Sequence, residues 1–238
     1  MSGPSSTSLP EWEIAFAPTT AEQTQALGAA LGAVLSAGDL VVLSGELGAG
    51  KTTFTQGLGQ GLGVRPGIIS PTFVLVRIHP NLVHGPRPGG PDLVHVDAYR
   101  LSGPGEVADL DLENWADTAV TVVEWGRGLV DDLSDSRLDI EMRRPSAPPA
   151  AAGPTLDFDT EDDDEPRLVL IRAFGPRWAG RPAVHWPAVE RVETGEIGPG
   201  GAGVGVSTPL RPAQPPGDSA RTQGVSPQPP ADAAGDAR

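Results

Sequence analysis

An eight-residue segment at positions 45–52 constrains this chain more than any other feature. It reads GELGAGKT and satisfies the pattern G-x-x-x-x-G-K-[ST]. A short apolar run at residues 40–43 precedes it, and Phe54, Leu58 and Leu62 follow it at helical spacing. A buried strand, this loop and an amphipathic helix in succession predict a phosphate-binding loop in a parallel sheet.

The residue types of this segment suit a triphosphate and its magnesium ion. Glycines let successive main-chain amides point at phosphate oxygens, and the helix that follows adds its positive end. Lys51, the sole lysine of the chain, is expected to reach the β- and γ-phosphates, and the Thr52 hydroxyl to ligate magnesium. We expect ATP and Mg²⁺ to be bound by Glu46, Leu47, Gly48, Ala49, Gly50, Lys51, Thr52 and Thr53.

A chance match to the pattern is the alternative, because the chain contains 31 glycines. The strand and helix on either side of the segment argue against chance, since the phosphate-binding mechanism requires that context. The position of the only lysine argues against it as well, because a compact ammonium group suits this task better than a guanidinium.

Two carboxylates stand where predicted strands end. Asp97 follows residues 93–96, and Glu124 follows residues 120–123. Ligands of open parallel sheets bind beyond the carboxyl ends of the strands. Either carboxylate could hold magnesium, directly or through water, or orient an attacking water; the alternative is an ordinary exposed acid at a strand–loop junction. With the phosphate loop in the same chain, we predict that both acids have a catalytic role.

Nearby residues leave alternatives open. Arg100 could stabilise phosphate charge or pair with a nearby acid, and Trp125 could contact a partner or pack internally. His95 alternates with valines, which favours a packed strand histidine. A metal site built from the histidines is not expected, because His79 and His84 fall in a predicted loop.

Composition excludes several classes of protein. The chain has no cysteine, which rules out disulfides and fits a reducing cytoplasm. No apolar run approaches the roughly 18 residues of a membrane span. The net charge is −14, so direct binding to DNA or RNA is not expected.

The apolar patterns predict an α/β fold of the P-loop NTPase type. Its central sheet is expected to be mostly parallel and flanked by helices. Helices are expected from Thr20 to about Gly38, after Lys51, and over residues 104–115. Strands are predicted at residues 11–17, 40–43, 72–78, 93–97, 119–123, 137–142 and 167–173, the last two forming a C-terminal antiparallel hairpin.

Four motifs in order resemble the TsaE family, also called YjeE, of small bacterial ATPases. The motifs are residues 45–53 (GELGAGKTT), 70–73 (SPTF), 95–101 (HVDAYRL) and 123–125 (VEW). The phosphate loop alone is common to many families, whereas the combination is much more specific. The resemblance extends from about Trp12 to Met142.

The resemblance implies a cytoplasmic ATPase that acts with the proteins TsaB and TsaD to modify adenosine 37 of tRNA with a threonylcarbamoyl group. It implies that Lys51 and Thr52 bind phosphate and magnesium, that Glu124 helps to hold the metal, and that Asp97 supports hydrolysis. Residues 70–73 would form a nucleotide-sensing switch. Contact with tRNA would be indirect, through the partners.

The resemblance and the composition together predict three segments. Residues 1–10 are expected to be a flexible N-terminus, and residues 11–193 a P-loop ATPase domain. This domain includes a Pro/Gly-rich loop at 79–92 and an acidic insert at 145–166. Residues 194–238, rich in Gly and Pro and without aromatic residues, are expected to be a disordered tail.

Two other functions use the same phosphate loop. A small-molecule kinase would need an acceptor pocket and arginines over the transferred group; Arg127, Arg137, Arg143 and Arg144 are the available candidates. A non-hydrolysing ATP-sensing adaptor would need only nucleotide-dependent partner binding. A GTPase with an N-K-x-D base-reading motif is excluded, because Lys51 is the only lysine.

Overall fold

One mixed sheet runs through the part of the chain that the structure, a computed structural model, describes: residues 9–115, 117–131, 133–144, 166–180 and 182–194. The helices in these ranges are α1 (Ala21–Gly32), α2 (Lys51–Leu62) and α3 (Pro104–Ala108), with 3-10 turns at Leu112–Trp115 and Pro176–Trp178. The strands are β1 (Trp12–Phe16), β2 (Leu40–Gly45), β3 (Val76–His79), β4 (Asp92–Asp97), β5 (Ala119–Glu124), β6 (Arg137–Arg143), β7 (Leu168–Phe174) and β8 (Arg191–Val192).

The centre of this sheet is parallel. Strands β4, β5, β2 and β6 lie in that order, with Leu43 level with Glu124 on one side and Ile140 on the other. At one edge β3 joins β4 antiparallel, and beyond β6 the strands β7, β1 and β8 continue antiparallel. The predicted P-loop NTPase type of fold and its antiparallel hairpin, β6–β7, are confirmed. The antiparallel strands on both sides make the complete sheet mixed.

Helices cover both faces of the sheet, because the side chains of each strand alternate. Val41 and Leu43 belong to the core beneath α1 and α2. Leu40 and Val42 belong to a second core that includes residues of α3 and the following 3-10 turn. Helix α1 begins at the predicted position, since the Thr20 hydroxyl accepts a hydrogen bond from the backbone N–H three residues later.

Glycines bring α1 and α2 into backbone contact. Gly28 and Gly32 of α1 face Gly57 and Gly61 of α2, and each lacks the space for a methyl group. A Cβ on Gly57 would lie 1.9 Å from the carbonyl oxygen of Gln25. Helix α2, which starts at the phosphate loop, is therefore fixed tightly against α1.

The predicted strand at residues 72–78 begins too early. Residues 72–75 form a turn in which the backbone N–H of Leu75 donates to the carbonyl of Pro71, and Leu75 has φ 66°. This left-handed conformation is incompatible with a strand, so β3 starts only at Val76.

Two predicted helices are shorter than expected. Helix α1 ends at Gly32 rather than near Gly38, because the Asp39 carboxylate accepts the backbone N–H of Ser36 and closes a separate turn. The helix predicted over residues 104–115 is divided into α3 and a 3-10 turn, since Asp111 between them has φ 49°.

The loop between β3 and β4 is exposed but anchored. Arg87 donates to the carbonyls of Gly32 and Leu35 at 3.1 and 2.8 Å, and Asn81 donates to the carbonyl of Leu62 at 2.8 Å. Apart from the residues at their inner ends, the predicted flexible N-terminus, acidic insert and tail lie outside the described residues. In the described ranges, no helix has the length and apolar character needed to cross a membrane.

Candidate active site

The segment at residues 45–52 forms a tight loop between β2 and α2. Gly45 closes β2 with φ 148°, and Gly50 caps α2 with φ 99°. A Cβ on Gly45 would lie 2.2 Å from the carbonyl oxygen of Met142 on β6, so no larger residue fits. The loop thus takes the strand–loop–helix form that the sequence predicts.

The side chain of Lys51 folds back over this loop. Its Nζ donates to the carbonyl oxygens of Gly45 and Glu46, each at 2.9 Å, and lies 4.0 Å from the centroid of the Trp125 ring. The residue is only 5% exposed. Burial lowers the pKa of Lys51, while the carboxylates of Glu124 and Asp97 oppose that shift. An anion at the loop would favour the charged ammonium in the same way.

Glu124 joins the loop to β4. The Thr52 hydroxyl donates to Glu124 Oε1 at 3.1 Å, and His95 Nε2 lies 2.9 Å from the same oxygen. Both Glu124 and His95 are buried. The three side chains form a chain of contacts from α2 across β5 to β4.

The oxygens of Thr52 and Glu124 fit a magnesium ion. Mg²⁺ in nucleotide sites takes hard oxygen donors, with one or two ligands from the protein and the rest from phosphate and water. The described residues contain no group of three His, Asp or Glu that could hold a metal alone. A divalent ion here would depend on these two side chains together with the nucleotide.

Asp97, level with Glu124 in the sheet, holds a neighbouring segment. Its Oδ2 accepts hydrogen bonds from the hydroxyls of Ser70 at 2.9 Å and Thr72 at 2.5 Å. Its Oδ1 accepts from the backbone N–H of Tyr99 at 3.0 Å. The carboxylate is therefore buried and hydrogen-bonded on both oxygens, and it fixes residues 70–72 beside the end of β4.

Large apolar side chains lie in the loop and next to residues of the site. Trp125 has φ 62°, and its ring meets the Tyr99 ring edge-on at 5.2 Å between centroids. Phe73, Leu47 and Tyr99 are 91%, 89% and 63% exposed, respectively. Large exposed apolar side chains are candidates for contact with a partner.

The structure brings Lys51, Thr52, Asp97 and Glu124 together, as their positions in the sequence predict. Arg100 does not join them: it is exposed and has no charged partner among the described residues. His79 is wrongly predicted as a loop residue, because it lies buried in β3 with its ring 6.3 Å from that of His95. His84 lies in the loop between β3 and β4, as predicted, and is exposed.

Sequence reasoning missed two kinds of contact. His95 was expected only to pack, yet it contacts Glu124; its place two residues before Asp97, on the same side of a strand, was an available signal. Arg167 lies near the phosphate loop, as does Arg144, one of the arginines considered for a kinase; no local pattern predicts the place of Arg167, because the β6–β7 hairpin brings it there.

Comparison with known proteins gives the family of this chain. The family model described as "Threonylcarbamoyl adenosine biosynthesis protein TsaE" matches residues 18–148, more than half of the chain. The chain belongs to the TsaE family. The matched stretch contains the phosphate loop, Asp97 and Glu124.

Individual TsaE proteins are similar over most of their length. The tRNA threonylcarbamoyladenosine biosynthesis protein TsaE of Streptomyces coelicolor is 51% identical over 154 residues, covering 64% of this chain and 92% of that protein. The TsaE protein of Bacillus subtilis is 36% identical, covering 52% of this chain and 73% of that protein. A crystal structure of Bacillus subtilis YdiB superposes with a TM-score of 0.50 at 27% identity, covering 70% and 89% of the two chains.

Proposed function

We propose that this protein is a magnesium-dependent ATPase that acts on the TsaB–TsaD complex during threonylcarbamoyladenosine formation at position 37 of tRNA. The observation that carries the proposal is the contact between Thr52 and Glu124 beside the Lys51 ammonium. It places a cation, a hydroxyl and a carboxylate at the start of α2, where phosphate-loop proteins bind nucleotide.

Nucleotide binding requires a local exchange of partners. The Lys51 ammonium, which now donates to two loop carbonyls, turns to phosphate oxygens. The loop amides and the positive end of α2 contribute further donors. Thr52 and Glu124 would hold Mg²⁺, which would neutralise charge on the phosphates.

Hydrolysis is expected to be slow in isolation. Asp97 is the proposed group that orients the attacking water, yet its oxygens already accept bonds from Ser70, Thr72 and Tyr99. A carboxylate has about four acceptor sites, so these three bonds leave a single site, on Oδ1, for a water. Movement of residues 70–72 when a partner binds would free further sites on Oδ2.

The surroundings of the site favour a protein partner over direct RNA contact. Leu47, in the loop itself, is exposed, and the chain carries a net charge of −14, which opposes binding to a phosphate backbone. In this proposal TsaB and TsaD contribute the contact with tRNA, and the reaction takes place in the cytoplasm.

The first test measures ATP binding by calorimetry and phosphate release with and without purified TsaB–TsaD. Lys51→Ala should weaken ATP binding about 100-fold, because a charged hydrogen-bond donor is lost. Glu124→Gln should lower magnesium-dependent phosphate release about 100-fold with little change in protein stability. Glu113→Gln, at an exposed position, is the matched control and should change neither.

Two outcomes would contradict the proposal. If the wild-type protein gave no heat with ATP at millimolar concentration, nucleotide binding itself would be wrong. If ATP bound but the partner complex caused no phosphate release, the protein would be an ATP-sensing adaptor and not an ATPase.

A further inference from the structure

Two arginines lie where β6 ends and β7 begins. Arg144 follows β6 directly, and Arg167 immediately precedes β7. Arg167 is 8% exposed, and its buried Nε has no hydrogen-bond partner. In the ranges that the structure describes, neither arginine has a carboxylate within ion-pair distance.

Both side chains lie against the phosphate loop. A Cβ on Gly50, the residue that caps α2, would be 3.7 Å from Arg167 Cδ. A Cβ on Gly48 would be 3.2 Å from Nη2 of Arg144. The hairpin therefore adds two guanidinium groups to the side of the loop opposite Glu124 and β5, since β6 and β5 flank β2.

Other arginines of the same hairpin are paired. Arg143 contacts Glu141 through Nε at 2.6 Å. Arg172 contacts Glu141 at 3.1 Å and Glu13 at 3.4 Å. Arg137 donates to Asp139 at 2.9 Å. The lack of a partner is thus particular to the two positions beside the loop.

A buried cation without a partner is unfavourable, and here it lies next to two further positive features, the N-terminus of α2 and Lys51. Such an arrangement becomes favourable only when an anion is bound between these groups. Guanidinium groups match phosphate oxygens in both charge and geometry.

We propose that Arg167 is a nucleotide-binding residue whose guanidinium donates to the phosphate chain held by the loop, with Arg144 making a second, more exposed contact. This inference rests on the proposed nucleotide site. It adds a residue beyond the stretch 18–148 that the family model matches, and it assigns the phosphate chain rather than the base as the group contacted.

The test is calorimetric titration of the full chain with ATP, ADP and tripolyphosphate, the last of which has no base. Arg167→Gln should weaken all three about 10- to 100-fold, the range for a lost charged hydrogen bond. Arg144→Gln should weaken them up to about fivefold, because exposed ion pairs contribute less. The matched controls Arg143→Gln and Arg172→Gln, on the same strands, should bind all three ligands like the wild type.

Thermal unfolding without ligand gives a second measurement. Arg167→Met should melt at the same temperature as the wild type or higher, because a buried charge is removed, while ATP should raise its melting temperature less than it raises that of the wild type. A merely structural arginine would give a lower melting temperature and an unchanged ligand response, and that result would overturn the inference. If Arg167→Gln does not fold, Arg167→Lys, which keeps the charge and stem, should still bind tripolyphosphate more weakly.

The outcomes separate this inference from the proposed function. If the wild type binds ATP, Lys51→Ala does not, and Arg167→Gln binds like the wild type, only the role of Arg167 is wrong. If Arg167→Gln loses ATP affinity but keeps tripolyphosphate affinity, the assignment to phosphate is wrong. If the wild type binds neither ligand, the nucleotide site itself fails.

Discussion

Buried polar groups at the two ends of the parallel strands differ in the partners that the protein gives them. At the amino ends, where β2 and β6 begin, such groups mostly have strong partners within the protein. At the carboxyl ends, where the phosphate loop lies, several have weak partners or none. The difference separates the polar groups that hold the fold together from those that, in the proposed function, bind a ligand.

Hydrogen bonds to charged side chains hold the amino end of the parallel strands together. Asp39, just before β2, accepts from the backbone N–H of Ser36 at 2.8 Å and from two guanidinium nitrogens of Arg177 at 3.0 and 3.2 Å. Arg87 donates to the carbonyls of Gly32, the last residue of α1, and of Leu35 beyond it. The bonds made by Arg177 and Arg87 join segments distant in sequence, and they need no ligand.

The carboxyl end is less complete. Lys51 donates only to main-chain carbonyls, and Arg167 Nε and His95 Nδ1 are buried without a hydrogen-bond partner. Groups of this kind lower the stability of the unliganded protein. In the proposed function, nucleotide and metal would supply the partners that the fold does not, which is a common feature of active sites.

Gly57→Ala should have the largest effect. Because α2 extends from the carboxyl end of the sheet to the amino end, this substitution should affect both ends together. The helix starts in the phosphate loop, and its capping residue Gly63 accepts a bond from Leu82 at the other end. A methyl group 1.9 Å from Gln25 O must push α2 from α1. We expect about 3 kcal/mol of lost stability together with weaker ATP binding.

Denaturant unfolding and ATP titration of the same samples would check this. Gly105→Ala is the matched control, since no atom lies within 4 Å of its added Cβ. It should be neutral or stabilise by up to about 1 kcal/mol, the difference in helix propensity. An unchanged stability of Gly57→Ala would show that the two helices are not in the close contact described.

Asp39→Ala should sharpen the comparison, because it affects only the amino end. Burial raises the pKa of Asp39, while the N–H of Ser36 and the charge of Arg177 oppose the shift. The cost of burying the charge therefore offsets part of the gain from its hydrogen bonds, and we expect a loss of about 2 kcal/mol. ATP affinity should be unchanged.

The same two measurements apply, with Asp135→Ala as the control because Asp135 is exposed. That control should change stability by less than about 0.5 kcal/mol. A fall in ATP affinity of Asp39→Ala without any loss of stability would refute the assignment of Asp39 to the structural end.

Local sequence signals predicted the parallel centre of the sheet and the part of the site formed by the phosphate loop and the acids at the strand ends. The capping Thr20, the glycine loop and the acids Asp97 and Glu124 each act within a few residues or at a strand end, so their places follow once the strands are recognised. The turn before β3 was missed because a leucine, Leu75, adopts a left-handed conformation, which propensities assign to glycine or asparagine.

Contacts between segments that are far apart in sequence could not be predicted in this way. Strand β1 lies between β7 and β8, although it precedes the entire parallel sheet in sequence. Arg167 reaches the loop only because β7 returns antiparallel along β6. Such contacts depend on the order of strands in the sheet, and a single sequence gives the strands more readily than their order.

His79 is an exception at the amino end, and it provides the smallest predicted effect. Its Nε2 is buried without a hydrogen-bond partner, and burial lowers its pKa, with the charges of His95, Arg77 and Arg65 adding to the shift. The unfolded chain therefore binds the proton more readily, and stability should fall as the pH decreases below about 6.5, the ordinary value for histidine.

The expected loss is at most about 1.4 kcal/mol per pH unit, the limit for one proton, and it ends at the lowered pKa of the folded state. Unfolding free energies of wild type and His79→Gln, measured between pH 7 and 5, should diverge in slope, with the variant less sensitive to acid. His84→Gln removes an exposed histidine and should keep the wild-type slope. Parallel curves for wild type and His79→Gln would mean that the buried imidazole takes up its proton without a penalty, and the amino end would then contain no group whose burial opposes folding at mildly acidic pH.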